Sequence, residues 1–216
     1  MVLSIAVLLA GCAREEKPAG EPAQALAPAQ AAVDDRPVIV AFGDSLTAGH
    51  GLDAGLSYAD FLQKELDRSG YRYRVVNQGI SGDTTSGGVT RVDSAVSLNP
   101  KVVILELGAN DGLRGLPVDT TRANLTEMIN AFQRGGAKVL LCGMTLPRNY
   151  GQDYIRSFEA VFRDLSLQKN ATLVPFFLEG VTTRRELMQD DGLHPTAQGN
   201  ATVARHVMKY LEPLLK

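Results

Sequence analysis

Short apolar runs alternate with longer amphipathic segments along most of the chain, beginning at Val38. Several of these runs are almost continuous in Val, Ile and Leu, which is typical of strands buried on both faces of a parallel sheet. The pattern predicts strands over residues 38–42, 73–77, 102–107, 138–143 and 172–176.

Helical patterns occupy the segments between and after these strands. Ser57, followed three residues later by Asp60, resembles a capping box that begins a helix. Apolar positions three and four residues apart predict helices over 119–134 and 154–167, and Pro195 opens a last helix. The alternation predicts a single three-layer α/β domain around a parallel sheet, with right-handed crossovers.

Candidate catalytic residues follow the first three predicted strands. Ser45 follows the first strand, Gly82 the second and Asn110 the third. In a parallel sheet, ligands bind beyond the carboxyl ends of the strands. We therefore expect these three residues to lie together at one edge of the sheet.

A serine, a histidine and a carboxylate suggest nucleophilic catalysis. A serine hydroxyl needs a base to take its proton and a third group to orient that base. Asp191 precedes His194 by three residues, a spacing that lets the carboxylate accept from one ring nitrogen while the other faces Ser45. Asp190 is a competing carboxylate. The alternatives are a turn serine, a helix-capping aspartate with a surface histidine, or metal ligation, which we disfavour because no further ligands cluster nearby.

Acyl transfer also needs hydrogen-bond donors aimed at the oxyanion. The backbone N–H groups of Ser45 and Gly82 and the side-chain amide of Asn110 are the candidates. Taken alone, Asn110 is better interpreted as part of a plain Asn-Asp turn.

Other chemistries have little support in the sequence. Thr47 stands where an α/β-hydrolase elbow would carry its second glycine, and the phosphate-loop and dinucleotide glycine motifs are absent. The net charge of -2, without a basic stripe, argues against nucleic-acid binding. We expect no cofactor and no metal.

The N-terminal segment differs in composition from the rest. Residues 2–10 are almost wholly apolar but too short to span a bilayer, and they lead to Cys12. This resembles a bacterial lipobox, although no Lys or Arg precedes the apolar run; the alternative is an N-terminus with an incidental cysteine. Residues 13–37 are rich in Ala and Pro and read as a flexible tether.

These features predict three parts, namely a lipoprotein signal over 1–12, a tether over 13–37 and the catalytic domain over 38–216. Ala13 after the lipidated cysteine fits retention at the periplasmic side of the outer membrane; a soluble periplasmic protein is the alternative. The other cysteine, Cys142, is expected to be a buried strand thiol, so no disulfide is expected. We expect a monomer that contacts the membrane through its lipid anchor.

The motifs together resemble the SGNH (GDSL) hydrolase superfamily, whose name lists Ser, Gly, Asn and His from four blocks. The similarity extends from Val38 to Leu215 and is greatest to bacterial multifunctional acyl-CoA thioesterase/lysophospholipase enzymes and arylesterases. The matching blocks are Gly43-Asp44-Ser45-Leu46, Gly79 to Gly82, Gly108-Ala109-Asn110-Asp111 and Asp191-x-x-His194.

The resemblance implies a flavodoxin-like five-stranded sheet of order 2-1-3-4-5. It implies nucleophile Ser45, base His194 and orienting Asp191, with an oxyanion hole from Ser45, Gly82 and Asn110. It also implies that the loop over residues 111–117 covers the acyl group, so that an apolar groove is lined by Leu113, Leu116 and Pro117.

The leading hypothesis is a serine hydrolase of acyl esters, acyl thioesters or lysophospholipids. A carbohydrate or cell-wall O-acetylesterase of the same superfamily is the first alternative. A non-catalytic envelope lipoprotein is the second, and the intact set of motif residues argues against it.

Overall fold

Five parallel strands form the central sheet in a computed structural model of the chain, which describes Val2 and residues 34–215. Within these residues the strand order is β2-β1-β3-β4-β5, which confirms the predicted fold class and topology. The strands are β1 (Val38–Gly43), β2 (Arg74–Gly79), β3 (Val102–Glu106), β4 (Lys138–Cys142) and β5 (Thr172–Val174).

Helices cover both faces of this sheet. Helix α2 packs against α7, and α3 packs against α5, which in turn contacts α6. The α-helices are α1 (Ser45–Ala48), α2 (Tyr58–Arg68), α3 (Thr85–Val96), α4 (Ala109–Leu113), α5 (Val118–Arg134), α6 (Gln152–Gln168) and α7 (Ala197–Leu211). Short 3-10 turns occupy Arg148–Tyr150, Arg185–Leu187 and Glu212–Leu214.

The apolar runs form the core as their composition requires. Strands β1 and β3 are buried along their whole length, and β4 is buried after its first residue. Cys142 is a buried free thiol at the end of β4, as predicted. The observed strand ends differ from the predicted ones by one or two residues, because ladder pairing rather than hydrophobicity sets where each strand stops.

The helix starts show how local signals act. At α2, the Ser57 hydroxyl accepts from the Asp60 N–H and the Asp60 carboxylate accepts from the Ser57 N–H, so the capping box is confirmed. The last helix begins at Ala197 instead of Pro195, because Thr196 is its N-cap and accepts from the Gly199 N–H. Helices α1, α3 and α4 were not individually predicted, since none carries a broad apolar stripe.

The predicted signal and tether fall almost wholly outside the described residues. Apart from Val2, the structure describes nothing before residue 34, so Cys12 and the boundaries at 12 and 37 stay predictions. Asp35–Lys216 forms a compact unit of its own. Among the helices that the structure describes, none has both the length and the apolar content to cross a bilayer.

Candidate active site

The carboxyl ends of the first three strands converge on one cavity of about 470 Å³. Ser45 enters it after β1, Gly82 after β2 and Asn110 after β3, while His194 reaches it from the loop before α7. The parallel sheet thus brings together residues that are far apart in the sequence, as their positions at successive strand ends predicted.

Ser45, His194 and Asp191 form a continuous hydrogen-bonded chain. The His194 Nε2 lies 2.8 Å from the Ser45 Oγ, and the His194 Nδ1 lies 2.6 Å from the Asp191 Oδ2. A neutral ring with its proton on Nδ1 donates to Asp191 and leaves Nε2 free to accept the Ser45 proton. This is the arrangement that a serine nucleophile needs.

Asp191 is held ionised by the loop that carries it. Partial burial alone would raise its pKa, but hydrogen bonds from the His194 ring and from the His194 and Leu193 N–H groups outweigh burial. Together they lower the pKa of Asp191 to about 2. The histidine therefore faces a carboxylate throughout the neutral range. Asp190, the competing carboxylate, is exposed and pairs instead with Arg185 at 3.0 Å.

The tight turn after β1 places Ser45 at the first position of α1. Asp44 caps this helix by accepting from the Leu46 N–H at 3.0 Å. The chain can turn so closely because Gly43 lacks a side chain, since a Cβ there would lie 2.0 Å from the Thr47 Oγ1. The half-buried Ser45 thus faces the cavity from a helix N-terminus, where its N–H is unused by the helix.

The predicted oxyanion donors line the same cavity. Gly82 has a φ of +82°, a conformation that side chains disfavour, and its carbonyl accepts from the Arg114 Nη2 at 2.8 Å. Asn110 Nδ2 donates to the Asp44 Oδ2 at 3.1 Å and to the Asp83 carbonyl at 2.9 Å. Ser45, Gly82 and Asn110 therefore bring the candidate donors from three strand ends to the lining of one cavity.

Arg91 links the strand ends that carry these donors. Its Nη2 donates to the Gly43 carbonyl at 2.9 Å and its Nε pairs with Asp83 at 2.7 Å. The guanidinium also lies 3.9 Å from the centre of the Phe42 ring. No residue pattern marks Arg91, because two of its partners are the backbone carbonyls of Gly43 and Gln78.

Gln189 links the loop of His194 to the segment that follows Ser45. Its Nε2 donates to the His50 carbonyl at 2.8 Å and to the Pro195 carbonyl at 2.9 Å. Its own N–H donates to the His194 carbonyl at 2.8 Å. The His50 ring, which is exposed, lies 4.6 Å from the His194 ring between centroids. The contacts of His50 with Gln189 and with His194 do not follow from residue spacing.

Two buried carboxyl groups lie behind the serine. Asp44 is 1% exposed and Glu106 is fully buried at the end of β3. Burial raises the pKa of Asp44 to about 6, against the Leu46 N–H, the His194 charge and the Asn110 amide, which lower it. Burial and then the nearby Asp44 charge raise the pKa of Glu106 well above its usual range. A glutamate inside an apolar strand was a visible sequence signal, but its role was not predicted.

Apolar side chains line much of the cavity. Leu113 lines it as predicted, but the structure does not bring Leu116 or Pro117 there. After Gly115, which has a φ of +65°, the chain turns toward α5, and the Leu116 carbonyl accepts from the Tyr154 hydroxyl. The remaining apolar wall comes from loops after β4 and β5 and includes Met144, Leu146, Phe176, Leu178 and Met188.

Within residues 34–215 no cluster of His, Cys, Asp and Glu has the makeup of a metal site. The side chains and N–H groups named above suit nucleophilic attack on an acyl carbonyl and stabilisation of the resulting oxyanion.

Comparison with known proteins relates the chain to acyl hydrolases. A model of the GDSL-like Lipase/Acylhydrolase family matches residues 41–202. Esterase TesA of Pseudomonas aeruginosa is 43% identical over 178 residues, which cover 82% of this chain and 89% of the relative. The thioesterase 1/protease 1/lysophospholipase L1 of Escherichia coli is 35% identical, with coverage of 82% and 84%. The crystal structure of TesA superposes with a TM-score of 0.79 at 43% identity, over 82% of this chain and 99% of that one.

Proposed function

The chain belongs to the GDSL-like lipase/acylhydrolase family, and from this premise we propose that it is a serine hydrolase of acyl esters, acyl thioesters or lysophospholipids. Ser45 forms the acyl-enzyme, His194 is the base and Asp191 orients it. The observation that carries the proposal is the Ser45–His194–Asp191 chain, with distances of 2.8 and 2.6 Å, of which Ser45 and His194 line a largely apolar cavity.

The steps follow from these contacts. The Ser45 Oγ attacks the acyl carbonyl while His194 Nε2 takes its proton, and the Asp191 carboxylate stabilises the imidazolium. The Ser45 and Gly82 N–H groups and the Asn110 amide donate hydrogen bonds to the oxyanion. The intermediate collapses as His194 returns the proton to the leaving alcohol or thiol. Water then attacks the acyl-enzyme by the same route and frees the acid.

The lining of the cavity supports an acyl chain longer than acetyl. Apolar side chains, among them Leu146, Phe176 and Met188, line it together with Ser45. Burying one methylene group contributes about 0.8 kcal/mol, which corresponds to about a fourfold gain in kcat/KM per carbon until the wall is reached.

A chain-length series of p-nitrophenyl esters tests this proposal. We expect kcat/KM to rise from acetyl toward medium chains in the wild type, and Ser45→Ala to lose the activity. Ser97→Ala, which removes an exposed hydroxyl in another part of the fold, is the matched control. Equal rates for wild type and Ser45→Ala would refute the nucleophile. A strong preference for acetyl would instead favour the O-acetylesterase.

We also propose that the protein is exported and anchored by a lipid on Cys12, at the periplasmic side of the outer membrane. The apolar run over residues 2–10, the lipobox-like approach to Cys12 and the Ala/Pro-rich stretch after it support this location. Mass spectrometry of the membrane fraction should find diacylglycerol on Cys12, and Cys12→Ala should release the enzyme. A soluble protein with an intact N-terminus would contradict the anchor.

A further inference from the structure

Glu106 occupies an unusual position for a charged residue. It ends β3, pairs in register with Gly43 and lies fully buried below the turn that carries Ser45. Its Oε2 accepts from the Thr47 hydroxyl at 2.7 Å and from the Asp44 N–H at 3.3 Å. Its Oε1 has no hydrogen-bond partner in the described part of the chain. An ionised carboxylate with one oxygen unpartnered in such a site would be strongly disfavoured.

Asp44 has the better environment for a negative charge. Its Oδ1 accepts from the Leu46 N–H and its Oδ2 accepts from the Asn110 amide. The charge that His194 gains in catalysis also favours the Asp44 carboxylate. Two carboxyl groups that share a buried site do not both ionise readily, so the better-solvated one takes the charge.

Among the described residues that interact with Glu106, Tyr58, Cys142 and Thr47 carry no positive charge. Tyr58 and Cys142 are both buried and interact with the Glu106 charge, and Thr47 is neutral. Burial raises the pKa of the Tyr58 phenol and of the Cys142 thiol well above their usual ranges, so both stay protonated. These neighbours therefore supply no positive charge that would offset the cost of a buried anion at Glu106.

We propose that Asp44 and Glu106 form a carboxyl pair that holds one proton, on Glu106, and that Asp44 uses its charge to position the Asn110 amide for the oxyanion. Both are positioning residues, since they act on the reaction through Asn110. This inference rests on the proposed acyl hydrolase function.

The hydrogen bonds of Asn110 explain why its position needs such support. An amide nitrogen carries two hydrogens, and in this structure one points to Asp44 Oδ2 and the other to the Asp83 carbonyl. The two acceptors fix the plane and the flip of the amide before substrate arrives. When the oxyanion forms, it has to share one of these hydrogens with its present acceptor. The strength of the hydrogen bond to Asp44 therefore affects how well Asn110 can donate to the oxyanion. A second charge on Glu106 would add negative potential where the oxyanion develops.

A double-mutant cycle on kcat tests the link between Asp44 and Asn110. Asp44→Ser keeps an oxygen that can cap α1 but is too short to hold Asn110, and we expect kcat to fall about 10²-fold with KM little changed. In an Asn110→Ala background Asp44→Ser should lower kcat by less than about threefold, because the amide that Asp44 positions is already absent. Asp44→Asn is the second variant, should the serine not fold, and the same non-additivity is expected.

Glu106→Gln tests where the proton lies. The amide mimics a protonated carboxyl, so we expect this variant to keep kcat within about threefold of wild type, whereas Glu106→Ala leaves the Thr47 hydroxyl and the Asp44 N–H without an acceptor and loses activity. Infrared spectroscopy above about pH 7 should show a protonated carboxyl band in the wild type that disappears in Glu106→Gln. The absence of that band in the wild type would overturn the proposal.

The outcomes separate this inference from the function it rests on. If Asn110→Ala lowers kcat and Asp44→Ser lowers it by the same factor in both backgrounds, the positioning role of Asp44 is wrong while the hydrolase stands. If Ser45→Ala retains full ester hydrolysis, the proposed function itself fails.

Discussion

Replacing Gln189 by methionine should impair catalysis without touching any reacting group. Gln189 is half-buried, and its amide donates to the carbonyls of His50 and Pro195 at 2.8 and 2.9 Å. The first bond joins segments 139 residues apart, the one following Ser45 and the one holding His194. Methionine has a similar length and shape but donates no hydrogen bond. The change thus removes the connection and little else.

The expected loss of stability follows from these two hydrogen bonds. Each intramolecular hydrogen bond contributes about 1 kcal/mol, so we expect the free energy of unfolding to fall by about 2 kcal/mol. For a folded unit of this size that loss lowers Tm by about 4–8 °C. Displacing a catalytic group by about 1 Å can cost about 10² in rate, and a partly loosened His194 loop should lower kcat about tenfold or more.

The assay compares Gln189→Met with Gln63→Met. Gln63 lies in α2, and its Nε2 donates to the Asp67 carboxylate at 2.8 Å and to the Tyr73 carbonyl at 3.0 Å. Its Oε1 also accepts from the Val75 N–H at 2.7 Å, so Gln63→Met loses at least as many hydrogen bonds as Gln189→Met, in a part of the fold that does not line the cavity. Thermal melts and p-nitrophenyl ester kinetics are measured for both variants well below their Tm.

Selective loss of turnover is the decisive result. Gln63→Met should lose stability but keep kcat within about twofold, while Gln189→Met should lose both. If the two variants have the same kcat, Gln189 stabilises the fold without positioning His194, and the reasoning is refuted.

Three other changes address the triad, the cavity and the buried carboxyl. Asp191→Asn should lower kcat by about 10⁴ in steady-state assays, because the amide does not hold the His194 tautomer; since the pKa of Asp191 is about 2, wild-type activity lost near pH 5 should not come from this carboxylate. Leu146→Trp should fill part of the apolar-lined cavity and lower kcat/KM for medium-chain esters more than for acetyl esters; an unchanged profile would place the acyl chain elsewhere. The pKa of Asp44, raised to about 6, makes the folded state bind more protons than the unfolded state between about pH 4 and 6, so this group's contribution to stability falls as the pH rises through that window. Denaturant titrations at several pH values should show that the free energy of unfolding depends less on pH in Asp44→Ser than in the wild type. An identical pH dependence would contradict the raised pKa of Asp44.

The sequence predicted those parts of the site that depend on strand ends. Ser45, Gly82 and Asn110 each follow an apolar run, and the parallel sheet brings such positions together regardless of loop detail. The short spacing of Asp191 and His194 made their contact a local matter as well.

What the sequence did not predict depends on contacts between distant loops or with backbone carbonyls. Arg91 and Gln189 act mainly on carbonyl groups, which every residue possesses, so no residue pattern marks them. Met144 and Phe176 line the cavity only because the loops after β4 and β5 lie beside each other. Leu116 was expected there from its place in a motif, and the turn at Gly115 directs it elsewhere.

Labelling with a fluorophosphonate followed by peptide mapping tests the central claim most directly. An activated serine beside His194 should react with the probe, and the adduct should be found on the peptide that contains Ser45. Ser45→Ala should show no adduct, and His194→Ala should label far more slowly. A folded wild-type protein that takes no label, or takes it on another residue, would contradict the account and favour a binding protein built on the same fold.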